Sequence, residues 1–125
     1  MDISRFDTRE KAHEGVSVPL VIDGETEMGH DGEPVTFRIK GLADPAVHRI
    51  ILSMRRDESR TPAEVLASDM KLAHAAVIGW SSNWTLGGEA LEFSRANVEK
   101  VFAIPLIRRA ILAEVADDAH FMNRD

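Results

Sequence analysis

Hydrophobic positions recur along this chain with two different periods. Val16, Val18, Leu20 and Ile22 stand at every second residue, and Val35, Phe37 and Ile39 alternate with Thr36, Arg38 and Lys40. Side chains two apart line one face of a strand, so these segments predict a β-hairpin over about 16–22 and 35–41. Pro19 has no amide donor and suits an edge strand. The connection from Asp23 to Pro34 holds Asp23-Gly24, Gly29 and Asp31-Gly32. It is long for a hairpin loop and is expected to project into water and move. Two strands alone are marginal, so the hairpin is expected to lean on helices or pair its edge with another copy.

Elsewhere the spacing is helical. Asp7 opens a capping pattern for a short helix that runs to Glu14 and is closed by Gly15. Asp44-Pro45 places a cap before a proline at the first helical position, predicting a helix from Pro45 to about Arg56 with Val47, Ile50, Ile51 and Met54 on one face. Thr61-Pro62-Ala63-Glu64 is a capping box, followed by Leu66, Met70, Ala73 and Val77 at helical spacing to Ile78. Ser94 caps a short helix carrying Val98, Val101 and Phe102, which Pro105 ends or redirects. The last helix carries Ile107, Ile111, Val115 and Ala119 and fades around Phe121. The expected fold class is α+β, mostly α, an N-terminal hairpin followed by a bundle of about four helices. A single domain over 1–125 is expected, with a short helix and hairpin in 1–43, a helical part in 44–120 and a short tail in 121–125.

Composition narrows the chemistry. The 125 residues are 44% hydrophobic and 29% charged, as in an ordinary globular domain. With 21 acidic against 15 basic side chains the net charge is −6, a field that repels phosphate backbones and disfavours a nucleic-acid partner. The densest basic cluster, Arg55-Arg56 with Arg60, is interrupted by Asp57 and Glu58 and reads as a solvated helix end. No cysteine is present, which removes disulfides, thiolate metal sites and thiol nucleophiles. No apolar run suits a membrane span, and the N-terminus lacks the pattern of a signal peptide, so a cytosolic location is expected.

Catalytic signatures are scarce. His13, His30, His48, His74 and His120 follow no recognised ligand spacing. Glu114, Asp117, Asp118 and His120 crowd the end of the last helix, with Glu114 and Asp118 expected to share a face, but the group reads as a solvated acidic helix end. Neither a metal nor any other cofactor is expected. No nucleophile elbow and no Ser-x-x-Lys pattern occurs, and Gly87-Gly88 and Asp31-Gly32 are turn glycines outside any phosphate-binding loop. The expectation is a non-enzymatic binding or scaffolding protein. Its candidate partner-binding residues are Trp80, Trp84, Phe93, Phe121 and Met122, because large apolar side chains dominate recognition hot spots. Trp80 and Phe93 adjoin helices and also suit a core, whereas Trp84, among Ser, Asn and Thr, is the aromatic expected to be exposed. Phe121 and Met122 lie beyond the last stripe, in a tail that is expected to fray or dock on a partner.

Val77-Ile78-Gly79-Trp80, Leu91-Glu92-Phe93-Ser94, Asn97 and Ala119-His120-Phe121 follow one another in an order that resembles the tail assembly chaperones of long-tailed phages. The opening Phe6 to Ala12, Glu14-Gly15 and the Gly/Asp-rich turn before Pro34-Val35-Thr36 resemble the same family, so the likeness runs along nearly the whole chain. Ser81 to Leu86 depart from it, since related loops are often richer in Gly and acidic residues. The resemblance implies a protein that binds the tape measure protein, keeps its long helical chain soluble and helps recruit tail tube subunits. It further implies action in the cytoplasm of a bacterial host, as a homo-oligomer that does not enter the finished virion. A structural tail or head-tail connector component is the alternative.

Overall fold

The computed structural model describes residues 1–55 and 61–123. Among them the chain is α+β, with five α-helices, seven short strands and a 3-10 turn at each end. The order is a 3-10 turn (Ile3–Phe6), α1 (Arg9–Glu14), β1 (Val16–Pro19), β2 (Val21–Ile22), β3 (Glu25–Thr26), β4 (Thr36–Ile39), α2 (Pro45–Arg55) and α3 (Pro62–Ala76). There follow β5 (Val77–Trp80), β6 (Thr85–Leu86), β7 (Glu89–Ala90), α4 (Arg95–Phe102), α5 (Pro105–Val115) and a 3-10 turn (Asp118–Phe121). The expected end of the second helix at Arg56, and the cluster around Arg60, lie outside the described residues.

The predicted hairpin forms in part, as β1 against β4 with Val18 opposite Phe37 and Val16 opposite Ile39, whereas Val21 and Ile22 of the expected first strand pair elsewhere. It is not two-stranded. The expected helix to Ile78 stops at Ala76, and Val77–Trp80 pairs antiparallel with β4, giving a sheet in the order β1-β4-β5. The cause is local: Val77, Ile78 and Trp80 are β-branched and aromatic, and the free side of β4 offers them a ladder that a helix end does not. The chain therefore covers one side of β4 with its own later segment. Pro19 sits on the edge strand β1, where its missing donor breaks no ladder.

The long connection after β1 is also built, not loose. Val21 and Ile22 fold back on Thr26 and Glu25 through Asp23-Gly24, both at positive φ (53° and 79°), as a tight two-residue hairpin turn requires. Met28 bridges Pro34, and Leu20 N–H donates to Val35 O, Glu27 N–H to Leu20 O and Val35 N–H to Glu27 O. The loop is water-exposed as expected, but its backbone is tied to the sheet.

Three of the expected caps form, whereas α1 starts after Thr8 without a side-chain cap bond and Asp7 accepts from Arg9 N–H instead. The Asp44 carboxylate accepts from the Ala46 and Val47 amides, Thr61 Oγ1 from Glu64 N–H and Ser94 Oγ from Asn97 N–H. Asp44 itself is buried, with His13 Nδ1 at 2.8 Å and Lys40 Nζ at 3.7 Å. Burial pushes its carboxyl up, but His13, the Val47 amide and Lys40 outweigh it and hold the group below its ordinary value.

Phe37 and Ile39 from the sheet join Val47, Val98, Phe102, Ile111, Val115 and Phe121 in the fully buried core. On α3 the buried residues are Leu72, Ala73 and Ala76, while Leu66 is 40% exposed, so the face is turned relative to the expected stripe. The tail is a second correction. Phe121 is wholly buried, and the 3-10 turn bearing it packs on α1 and β1. A Cβ at Gly41 would stand 2.8 Å from the Phe121 ring, so glycine is what admits it. Lys11 Nζ donates to Met122 O at 3.0 Å, and Asn123 N–H to Arg5 O at 3.0 Å, so both ends of the described chain are pinned together.

Candidate functional site

The five candidate partner-binding residues fall in two separate places, Trp80, Trp84 and Phe93 in one and Phe121 and Met122 in the other. Trp80 ends β5 opposite Phe37, and Trp84 lies just beyond it. Their rings stack at 4.8 Å with 21° between planes, and Phe93 meets Trp80 edge-on at 5.0 Å. Both indole N–H groups are satisfied: Trp80 donates to Leu91 O at 2.9 Å and Trp84 to Thr36 O at 2.8 Å. Gly87 and Gly88, at φ 61° and 84°, turn β6 back on β7, and Leu91 N–H then returns to Trp84 O. The whole connector from α3 to α4 is thus one aromatic clasp on the sheet.

Exposure within the clasp reverses the expectation. Trp84 is 6% exposed, Trp80 is half-buried and Phe93 is 41% exposed. The neighbours Ser, Asn and Thr mislead because they are themselves structural. Buried Asn83 donates to Glu33 O and to Asp31 Oδ1, each at 3.1 Å, and Ser81 Oγ accepts from Thr36 N–H at 2.9 Å while donating to Asn83 Oδ1. The Asn83 amide, with the Glu33 N–H, holds the Asp31 carboxyl below its ordinary value. Phe121 is removed from any surface by its burial, and Met122 is half-buried beside it. Of the five, Phe93 alone is exposed rather than buried or half-buried.

Beyond Trp84 opens a groove of about 410 Å³. Leu20, Val35 and Trp84 form its buried floor, Met28 stands on one wall, and Ile104 and Leu106 on the other. Met28, Ile104 and Leu106 are 54%, 37% and 53% exposed, an unfilled apolar surface on an acidic chain. Sequence reasoning missed these aliphatics. One signal was available: Ile104 is the N-cap of α5 and makes no side-chain cap bond, at a position where Ser, Thr, Asp or Asn is preferred.

The acidic group at the end of α5 is rearranged. Glu114, Asp117 and His120 each bring a possible ligand atom within 4.8 Å of the others, with His120 Nε2 against Glu114 Oε2 and 3.5 Å from Asp117 Oδ2. Asp118 stays outside, because the helix stops at Val115 and the expected shared face ends with it. His13 is engaged with Asp44 and His74 with Glu99 at 3.0 Å. Among the described residues no serine or threonine pairs with a histidine as a nucleophile would.

No helix among the described residues is long and apolar enough to cross a membrane. Comparison with family models, with curated proteins and with solved structures returns no match.

Proposed function

We propose that this chain is a non-enzymatic tail assembly chaperone of a long-tailed phage, which binds the tape measure protein and helps recruit tail tube subunits in the host cytoplasm. The observation that carries the reading is the order of short motifs resembling that family along nearly the whole chain, from Phe6-Asp7-Thr8-Arg9 to Ala119-His120-Phe121. The groove supports it: a long helical client exposes apolar stripes, and an acidic body with an open aliphatic surface covers such stripes while staying dispersed.

Co-expression with a tape measure protein tests the proposal. The expected outcome is a soluble complex that survives size-exclusion chromatography, where the tape measure protein alone precipitates. A tape measure protein whose solubility and elution ignore the chain would defeat it. The same preparation separates the alternative, a structural tail or connector component, because a chaperone is absent from purified virions and a structural subunit is present in them.

A further inference from the structure

We propose that the groove between the β2–β3 hairpin and the start of α5 is the docking site for one basic amphipathic helix of the client, an inference that rests on the client-binding reading above. Leu20, Ile22, Val35, Ile104, Leu106 and Ile107 give the groove its aliphatic surface, and Glu27, His30, Asn83 and Thr85 add polar groups to its lining. Its volume of about 410 Å³ suits the few anchor side chains that one helical face projects at i, i+3 and i+4.

The backbone around the groove favours a helix over an added strand. The amides of Leu20, Glu27, Gly29 and Val35 all donate within the chain, to Val35, Leu20, Glu33 and Glu27 carbonyls respectively. At these four residues an added strand would find the donors already used. A helix brings its backbone already satisfied.

Charge specifies the flanks of that helix. Asp23, Glu25, Glu27, Asp31 and Glu33 stand between residues 23 and 33, where there is no lysine or arginine, and all five are exposed. On α5, outside the groove lining, Arg108 is occupied, 3.8 Å from Asp69 and donating to Phe102 O, so its charge is spent inside the fold. Lysines or arginines beside the apolar stripe of the occupant would meet this acidic rim. A second copy of the chain is the poorer occupant, since it carries the same −6 and would set one acidic hairpin against another in a two-fold arrangement. Ile104 at the cap position of α5 fits the same picture, an apolar residue kept where a polar one would stabilise the helix.

The test uses the full chain and two synthetic helices of about 18 residues that share one leucine stripe, flanked by lysine in one and by glutamate in the other. The lysine helix is expected to bind at least about tenfold more tightly at low salt, with the gap closing between roughly 0.05 and 0.3 M salt. Leu106→Glu should weaken the lysine helix at least about tenfold with an unchanged melting temperature. The double variant Glu25→Lys, Glu27→Lys should narrow the preference for lysine. Equal binding of the two helices overturns the inference, as does binding untouched by both variants. Dimerisation lost in Leu106→Glu, with neither helix bound, assigns the groove to a second copy and overturns it too. A tape measure fragment that binds wild type and Leu106→Glu alike sinks the groove assignment and leaves the client reading standing. A fragment that binds neither, while the lysine helix binds, does the reverse.

Discussion

Trp84 lies between two regions of opposite character. Toward Trp80 and Phe93 it belongs to a finished structure, with rings in stacked and edge-on contact, both indole N–H groups bonded and the surrounding Asn83 and Ser81 engaged. Toward Met28, Ile104 and Leu106 it floors a groove with exposed apolar side chains, beside the acidic β2–β3 hairpin and its loop. The first region is where sequence reasoning looks for recognition, because it holds both tryptophans of the chain. The second is where the fold leaves apolar surface unfilled. The stacked tryptophans are tied into the fold, and the exposed apolar side chains of the groove are the aliphatic Met28, Ile104 and Leu106.

Substitutions in the two regions should therefore separate stability from binding. The largest effect is expected for Trp84→Ala, which removes the floor of the groove and the stack on Trp80. Denaturant unfolding should show a loss of about 3–5 kcal/mol, and a loss below about 1 kcal/mol would mean that the clasp is not part of the core. Gly41→Ala comes next. Its Cβ would press on the Phe121 ring at 2.8 Å, and overpacking of this kind costs about 1–3 kcal/mol. An unchanged melt would show that the tail is not docked as described.

Asp44→Asn probes the joint of α1, β4 and α2 and should cost about 1–2 kcal/mol. A carboxyl held below its ordinary value adds stability above that value and loses it as pH falls through the lowered one. The wild type should thus lose this contribution in acid, below the ordinary carboxylate range, and the variant should show a flatter acid limb in pH-dependent melts. Parallel limbs would contradict the assignment. The smallest stability effect is expected for Ile104→Ser, where a gained cap offsets a lost contact to within about 0.5 kcal/mol. Binding of the lysine-flanked helix should nevertheless weaken. Full affinity in this variant would move the docking surface away from α5.

Much of the fold was legible because it is local. Asp44, Thr61 and Ser94 cap helices with short-range bonds that need no tertiary context. Val16, Val18, Phe37 and Ile39 alternate on one face and pair as expected. What escaped was long-range. Nothing in Val77 to Trp80 alone says that β4 has a free side waiting for it, and helical periodicity carried the prediction past Ala76. Phe121 was read as tail because its partner, the bare Cα of Gly41, lies eighty residues away in sequence. The groove was invisible for the same reason: Leu20, Met28, Trp84 and Leu106 come together only after the sheet and the α4–α5 corner are assembled. The uncapped Ile104 was the one local irregularity pointing to it.

Hydrogen exchange of the chain with and without a bound tape measure fragment tests the central claim most directly. Slowed exchange is predicted at the β2–β3 hairpin and at the first turn of α5, with the segment from Trp80 to Phe93 unchanged. Protection confined to that aromatic segment, or to α2 and α3, would contradict the account.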